Sequence, residues 1–273
     1  MAPRAVPGTA SGAAAALAPY VASLVAYDVD LGGPGVHRGL PGTTLTFVLP
    51  VGEPLDVGWR DRPESRAQRW SAVAGLHAQS AEIHHAGHQS GVQLALTTRG
   101  ARALLGRPAA ELAGELLEVD DVAPWLRDLP ERLDEAPRRR WGTVVARSLL
   151  AELARCDEPR PRAEVGRALA GLTRGSSVQE VAADVGFTRR HLGNLVRAEC
   201  GLSPKQLQRL GRFEASRALL GRVPLAEVAH RCGYADQAHL TRDWGAFAGC
   251  TPTTWLREEF PFVQDTAGSG TRG

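Results

Sequence analysis

The sequence predicts a two-domain α+β protein, in which a small antiparallel β domain with a helical tail precedes an all-α domain of two helix-turn-helix units joined by a long helix. Three observations carry this. Val178–Pro204 and Leu225–Pro252 are two copies of one pattern: Glu180, Val181, Ala182, Gly186 and Phe187 return 47 positions later as Glu227, Val228, Ala229, Gly233 and Tyr234. After one inserted residue, His191, Leu192, Gly201 and Pro204 return as His239, Leu240, Gly249 and Pro252. Between Val21 and Thr97, short apolar runs separated by Gly- and Pro-containing turns have the texture of strands. At 273 residues, 43% hydrophobic and 23% charged, the chain is long enough to bury two cores.

Residues 1–15 are small and contain Pro and Gly, and are expected to be disordered; 16–156 form the first domain. Thr44–Pro50, Leu55–Trp59, Trp70–His77 and Gly91–Thr97 are candidate strands of a small antiparallel β-barrel or sandwich. Ala101–Gly106 and Pro108–Val119 read as short helical pieces, and Asp121–Leu133 as a further one that Pro130 interrupts. Trp141–Cys156 predicts a longer helix with Val144, Val145, Leu149, Leu150 and Leu153 at its apolar positions. This helical tail is either a dimerisation surface or a cover for the β domain. Residues 157–163, DEPRPRA, form the linker; 164–260 are the second domain and 261–273 a flexible tail.

In the second domain, Ala163–Leu172 is a lead helix that ends by Gly175. Ser177 and Glu180 then form an S-x-x-E capping box that starts the helix Val178–Val185. Gly186 supplies the left-handed residue that stops this helix, Phe187 plugs the core, and Thr188 caps the next helix. That helix, Arg189–Glu199, buries Leu192, Leu195 and Val196 and turns Arg189, Arg190, Gly193, Asn194 and Arg197 outward. Pro204–Leu220 is the long connector. The second copy repeats the scheme with Leu225–Arg231, a turn at Gly233, Tyr234 as plug and Asp236–Ala248 capped by Asp236. Leu240, Trp244 and Phe247 face its core, Gln237, Ala238, Thr241 and Arg242 face outward, and Pro252 follows the closing turn. Two exposed helices carrying Arg, Asn, Gln and Thr suit the major groove of double-stranded DNA, where Arg reads guanine and Asn or Gln reads adenine. Thr188, Arg189 and Arg197 are placed for the phosphate backbone. A rigid connector lets both helices enter successive grooves, about 34 Å apart.

Charge agrees in sign. Residues 166–273 hold 14 Lys and Arg against 10 Asp and Glu, whereas the rest holds 18 against 20, within an overall charge of +2. Only one basic residue is lysine, Lys205, which reflects a GC-rich coding bias. Cys156, Cys200, Cys232 and Cys250 lack CxxC spacing and are expected to be reduced structural thiols. The apolar stretch Ala13–Tyr27 is too short to span a bilayer and lacks a signal-peptide arrangement, so a cytoplasmic protein without membrane contact is expected.

His77, His84, His85 and His88 are candidate metal ligands, but adjacent residues of a strand point to opposite faces and the spacing fits no ligand motif. No metal, cofactor or catalytic residue is expected, and the chain reads as a non-enzyme. Two rivals remain: an enzyme fused to DNA-binding helices, which needs either bound metal or a reactive methyl-accepting cysteine, and a protein-interaction module whose helices no longer bind DNA.

Residues 163–260 resemble the AraC/XylS family of transcription regulators, and Val228–Trp255 is similar to that family's signature. The resemblance implies seven helices in two helix-turn-helix subdomains. It places base-reading residues at Arg190, Gly193 and Asn194 in the first unit and at Gln237, Ala238, Thr241 and Arg242 in the second. Gly193 has no side chain and Ala238 offers only apolar contact, so the first unit rests on Arg190 and Asn194. The elements HRGLPG, AGLH, QSGVQLALT, TRGARALLG and ELAGELLEVDD resemble the sensor-like domain of actinobacterial members. This second resemblance implies a cupin-like barrel that binds a small-molecule effector or holds a homodimer. RNA polymerase is a partner if the protein is an activator.

Overall fold

The computed structural model describes residues 11–156 and 163–259. The interior of the expected linker and the expected C-terminal tail lie outside the described residues, as do residues 1–10. Where the sequence suggested an irregular start, Ser11–Leu17 form helix α1. Nine strands follow: β1 Val21–Asp30, β2 Gly35–Gly39, β3 Leu45–Pro50, β4 Leu55–Trp59, β5 Arg62–Arg69, β6 Ala72–Ala74, β7 Ala81–His85, β8 His88–Leu96 and, after a helix, β9 Leu116–Leu117. They form two antiparallel sheets, one ordered β1-β8-β3-β6-β9 and the other β2-β7-β4-β5.

The cupin-like barrel is therefore incorrect. The edges β1 and β9 of one sheet do not pair with the edges β2 and β5 of the other among the described residues, so the sheets remain open layers. The five-stranded sheet is covered on both faces. Leu45, Phe47, Leu49, Val73, Val92, Leu94 and Leu96 point to one face and are at most 2% exposed. Against that sheet pack α2 (Thr98–Leu105) and α5 (Trp141–Leu153). Because helices cover that face, closure is decided at the edges, where β9 has only two residues and β5 is strongly charged. On the other face Thr46, Val48, Ala72, Ala74, Gln93 and Ala95 look toward the four-stranded sheet across a cavity.

The helical segment is more broken than its sequence suggests. Between Pro108 and Glu118 the helical part is Ala109–Leu112, a 3-10 turn, because Leu116 and Leu117 pair with Ala74 and Val73. Short helices α3 (Val119–Val122) and α4 (Leu129–Asp134) follow. Pro130 lies in the first turn of α4, where its missing N–H costs nothing, and so it opens the helix instead of interrupting it. Helix α5 buries Trp141, Val145, Ala146 and Leu149, so it covers the β domain.

Seven helices make up the second domain: α6 Ala163–Thr173, α7 Val178–Asp184, α8 Arg189–Cys200, α9 Pro204–Leu219, α10 Leu225–Arg231, α11 Gln237–Ala248 and α12 Pro252–Glu259. Ser177 and Glu180 form the anticipated capping box, and Ser203 with Gln206 forms a second one at the start of α9. Helix α6 crosses α9 so closely that a Cβ on Gly211 would lie 2.1 Å from the Thr173 carbonyl oxygen. The four cysteines are free thiols, with Cys200 and Cys232 buried. Burial pushes the Cys200 thiol up to about 12.

Candidate nucleic-acid interface

The repeated sequence folds as a repeated turn. In the first unit Gly186 has φ 71° and the Phe187 N–H donates to the Ala182 carbonyl at 2.8 Å; in the second, Gly233 has φ 71° and the Tyr234 N–H donates to Ala229 at 2.9 Å. Such a left-handed residue closes a helix and turns the chain without a side-chain clash. The next helix is capped alike in each unit. Thr188 Oγ1 accepts from the His191 N–H at 3.2 Å, and Asp236 Oδ1 accepts from the His239 N–H at 2.6 Å. Each plug aromatic meets the histidine that follows it edge-on: Phe187 and His191 with centroids 4.7 Å apart, Tyr234 and His239 at 5.2 Å. The inserted residue is absorbed between Tyr234 and the cap at Asp236.

On α8, Thr188, Arg189, Arg190, Asn194 and Arg197 are exposed, while Leu192 and Val196 are buried. Gly193 differs from expectation, being buried: a Cβ there would lie 3.5 Å from Arg197 Nη1, so the arginine reaches over it. On α11, Gln237, Ala238 and Arg242 are exposed and Thr241 is half-buried. The Thr241 hydroxyl donates to the Gln237 carbonyl at 2.9 Å, which leaves its methyl and the lone pairs of its oxygen for a partner. Leu240, Trp244 and Phe247 are buried, and Pro252 is buried at the start of α12.

Three buried polar groups that fix these helices were not anticipated. Asp243, on the inner side of α11, is 5% exposed and accepts from Arg209 of α9 at 2.8 Å. The Trp244 indole N–H donates at 2.9 Å to Ser216 of α9, itself fully buried. Glu199 at the end of α8 is 6% exposed and is clamped by Arg102 of α2 through three hydrogen bonds of 2.6–2.9 Å. The sequence offered one cue: an acid sitting in register with the apolar positions of each helix.

The Arg102–Glu199 clamp joins the two domains, and other contacts extend the joint. Thr43 donates to Glu214 of α9 through its N–H at 3.0 Å and its hydroxyl at 2.6 Å, and Arg38 pairs with Glu258 of α12 at 3.0 Å. A Cβ on Gly201, which ends α8, would lie 2.3 Å from Ala113 Cβ; one on Gly249, which ends α11, would lie 2.6 Å from the Arg60 guanidinium carbon.

Of the candidate histidines, His84 and His85 are neighbours on β7, while His77 and His88 lie outside that strand. His77 is buried, with Nδ1 2.6 Å from the Gly75 carbonyl, and burial depresses its pKa to about 4. His88 is exposed and contacts Asp28 at 2.6 Å. No group of three or more His, Cys, Asp or Glu side chains among the described residues is arranged to hold a metal ion. No helix among the described residues is long and apolar enough to cross a membrane.

Residues 181–258 match a family model described as a helix-turn-helix domain. No curated protein matches the chain. ToxT from Vibrio cholerae has a similar overall fold, with a TM-score of 0.52 at 10% identity over 86% of this chain and 98% of that one. The same protein solved with an unsaturated fatty acid bound gives a TM-score of 0.50 at 11% identity over 87% and 95%. The DNA-binding domain of AdpA, a global transcriptional factor solved with a target DNA, is 26% identical over 36% of this chain and 93% of that one, with a TM-score of 0.32. Fold and domain match together define a helix-turn-helix protein with a β-sheet domain in front of it.

Proposed function

We propose that the protein reads successive major grooves of one operator with α8 and α11 and that a small molecule bound in the β domain alters this reading. The carrying observation is the matched pair of turns, each holding a helix whose outer face is exposed and polar. Arg190 and Asn194 from the first unit, and Gln237, Ala238, Thr241 and Arg242 from the second, meet base edges. Arg189 and Arg197 meet phosphates; Thr188, its hydroxyl oxygen already capping α8, adds its backbone N–H. Effector response is supported by the cavity between the sheets, which is lined at one end by Glu214 and Arg217 of α9. A molecule there touches the helix that links both reading units. The ToxT structure with a fatty acid is an instance of this fold holding a small molecule.

Selection of bound sequences from a random DNA pool with the full-length protein tests the reading. Two sequence blocks about one helical turn apart are expected; absence of any enrichment at moderate salt rejects it. Arg242→Ala is expected to cost about 1–3 kcal/mol, felt mainly against the preferred base. Equal weakening of selected and random DNA would remove Arg242 from base reading. Arg197→Ala is instead expected to weaken all DNA alike and to lower the salt slope by about one unit. A loss confined to the selected sequence would contradict its phosphate role.

A further inference from the structure

The cavity between the two sheets has a volume of about 350 Å³, at the small end of the range for ligand pockets. Its walls are built from the strand positions opposite those that pack on the helices. Large side chains fill the helical side, whereas the cavity side carries Thr46, Ala72, Ala74 and Ala95. Leu55, Val57 and Ile83 of the four-stranded sheet pack on part of this face, and where only small side chains oppose them a chamber remains.

Polar side chains cross the chamber as one strip. Gln89 and Gln93 stand two positions either side of Gly91 on β8, and Tyr27 of β1 is the cross-strand partner of Gly91. A Cβ on Gly91 would lie 2.3 Å from the Leu49 carbonyl oxygen and 3.0 Å from the Tyr27 hydroxyl, so the glycine provides the room that the hydroxyl uses. Tyr27 is 8% exposed. Among the described residues, neither its hydroxyl nor the Gln89 and Gln93 amides have a hydrogen-bond partner, although all three line the chamber. These groups face the chamber with free hydrogen-bonding capacity, so a bound molecule can pair with them without breaking a bond inside the protein.

The strip carries no formal charge, and the two chamber histidines are held neutral. Burial lowers His37 to about 4 and His77 to about 4. Glu214 and Arg217 at the α9 end contribute one charge of each sign, and the Glu214 carboxylate is already taken by Thr43. An ion placed at the strip, away from the α9 end where Arg217 and Glu214 lie, would lose its hydration without a counter-charge beside it.

We infer that the chamber binds an uncharged, mainly apolar molecule bearing a hydroxyl group, which Tyr27, Gln89 and Gln93 recognise through hydrogen bonds. This rests on the effector reading above and specifies its ligand class. The test is equilibrium dialysis of the full-length protein at pH 7 against three probes of one ring skeleton: 2-naphthol, naphthalene and 2-naphthoate. One 2-naphthol per chain is expected, bound at least about tenfold more tightly than 2-naphthoate. Gln93→Leu and Tyr27→Phe should each weaken 2-naphthol about threefold to tenfold while leaving naphthalene within about twofold. Ala95→Phe, which fills the chamber, should remove binding of both, with unchanged circular dichroism showing that the chain still folds. Tighter binding of 2-naphthoate, equal losses for 2-naphthol and naphthalene, or binding that survives Ala95→Phe would overturn the inference. Affinity for the selected DNA is measured alongside. Probe binding that leaves DNA affinity unchanged supports the chamber and rejects only the effector response.

Discussion

Trp244→Ala is expected to destabilise the second helix-turn-helix unit by about 3–5 kcal/mol, the range for deleting a fully buried tryptophan. The indole is 0% exposed and sits among Phe213, with ring centroids 4.7 Å apart, and Trp255, at 5.5 Å. Its N–H also donates to Ser216, so truncation leaves both a cavity and a buried hydroxyl with one partner fewer. Because Ser216 belongs to α9, the loss spreads from α11 to the connector. Urea unfolding of the two proteins measures the change, and the second block of the selected DNA motif should be lost first. A cost below about 1 kcal/mol would mean that the indole does not hold α11 to α9.

Arg102→Met is expected to cost about 3 kcal/mol through a different cause. The Glu199 side chain is 8% exposed and Arg102 34%, so removal of the guanidinium leaves a carboxylate in the domain interface with no counter-charge. Arg102→Met/Glu199→Met should regain most of the loss, since apolar groups of similar size replace a buried pair at little cost. Unfolding measurements on the single and double variants decide the matter. A double variant no more stable than the single would show that buried charge is not the cause.

The second domain was legible because its constraints are local. A capping serine, a left-handed glycine and an aromatic plug act within one turn of chain, and Gly186–Phe187 and Gly233–Tyr234 fold alike. The buried acids of α8 and α11 were not singled out, because each is explained only by a partner outside its own helix. Glu199 and Asp243 lie on a side that is buried by Arg102 of the other domain and by Arg209 of the connector. The first domain was harder to read. β5, with the sequence RPESRAQR, is an edge strand with almost no apolar signal, held by pairs such as Arg66 with Asp56. GVQLALT shows an alternation of the kind a strand with one face in water also has. Gln93 instead faces the chamber, and Val92, Leu94 and Leu96 face helices that the local pattern cannot place. The barrel was read from short strands between turns and from a resemblance, and neither says whether sheet edges meet, which is a tertiary property.

The glycines that end α8 and α11 have a consequence beyond stopping a helix. Each places the rear of its helix against the β domain, Gly201 at Ala113 and Gly249 at Arg60, while the front faces outward. The two helices are thus arms of a calliper, gripped behind by one body and gauging with their free points. The gap between the points is then governed by that body's shape as well as by α9. A larger side chain at Ala113 would tilt one arm and leave the other, shifting the preferred distance between DNA half-sites without altering a single residue that faces a base.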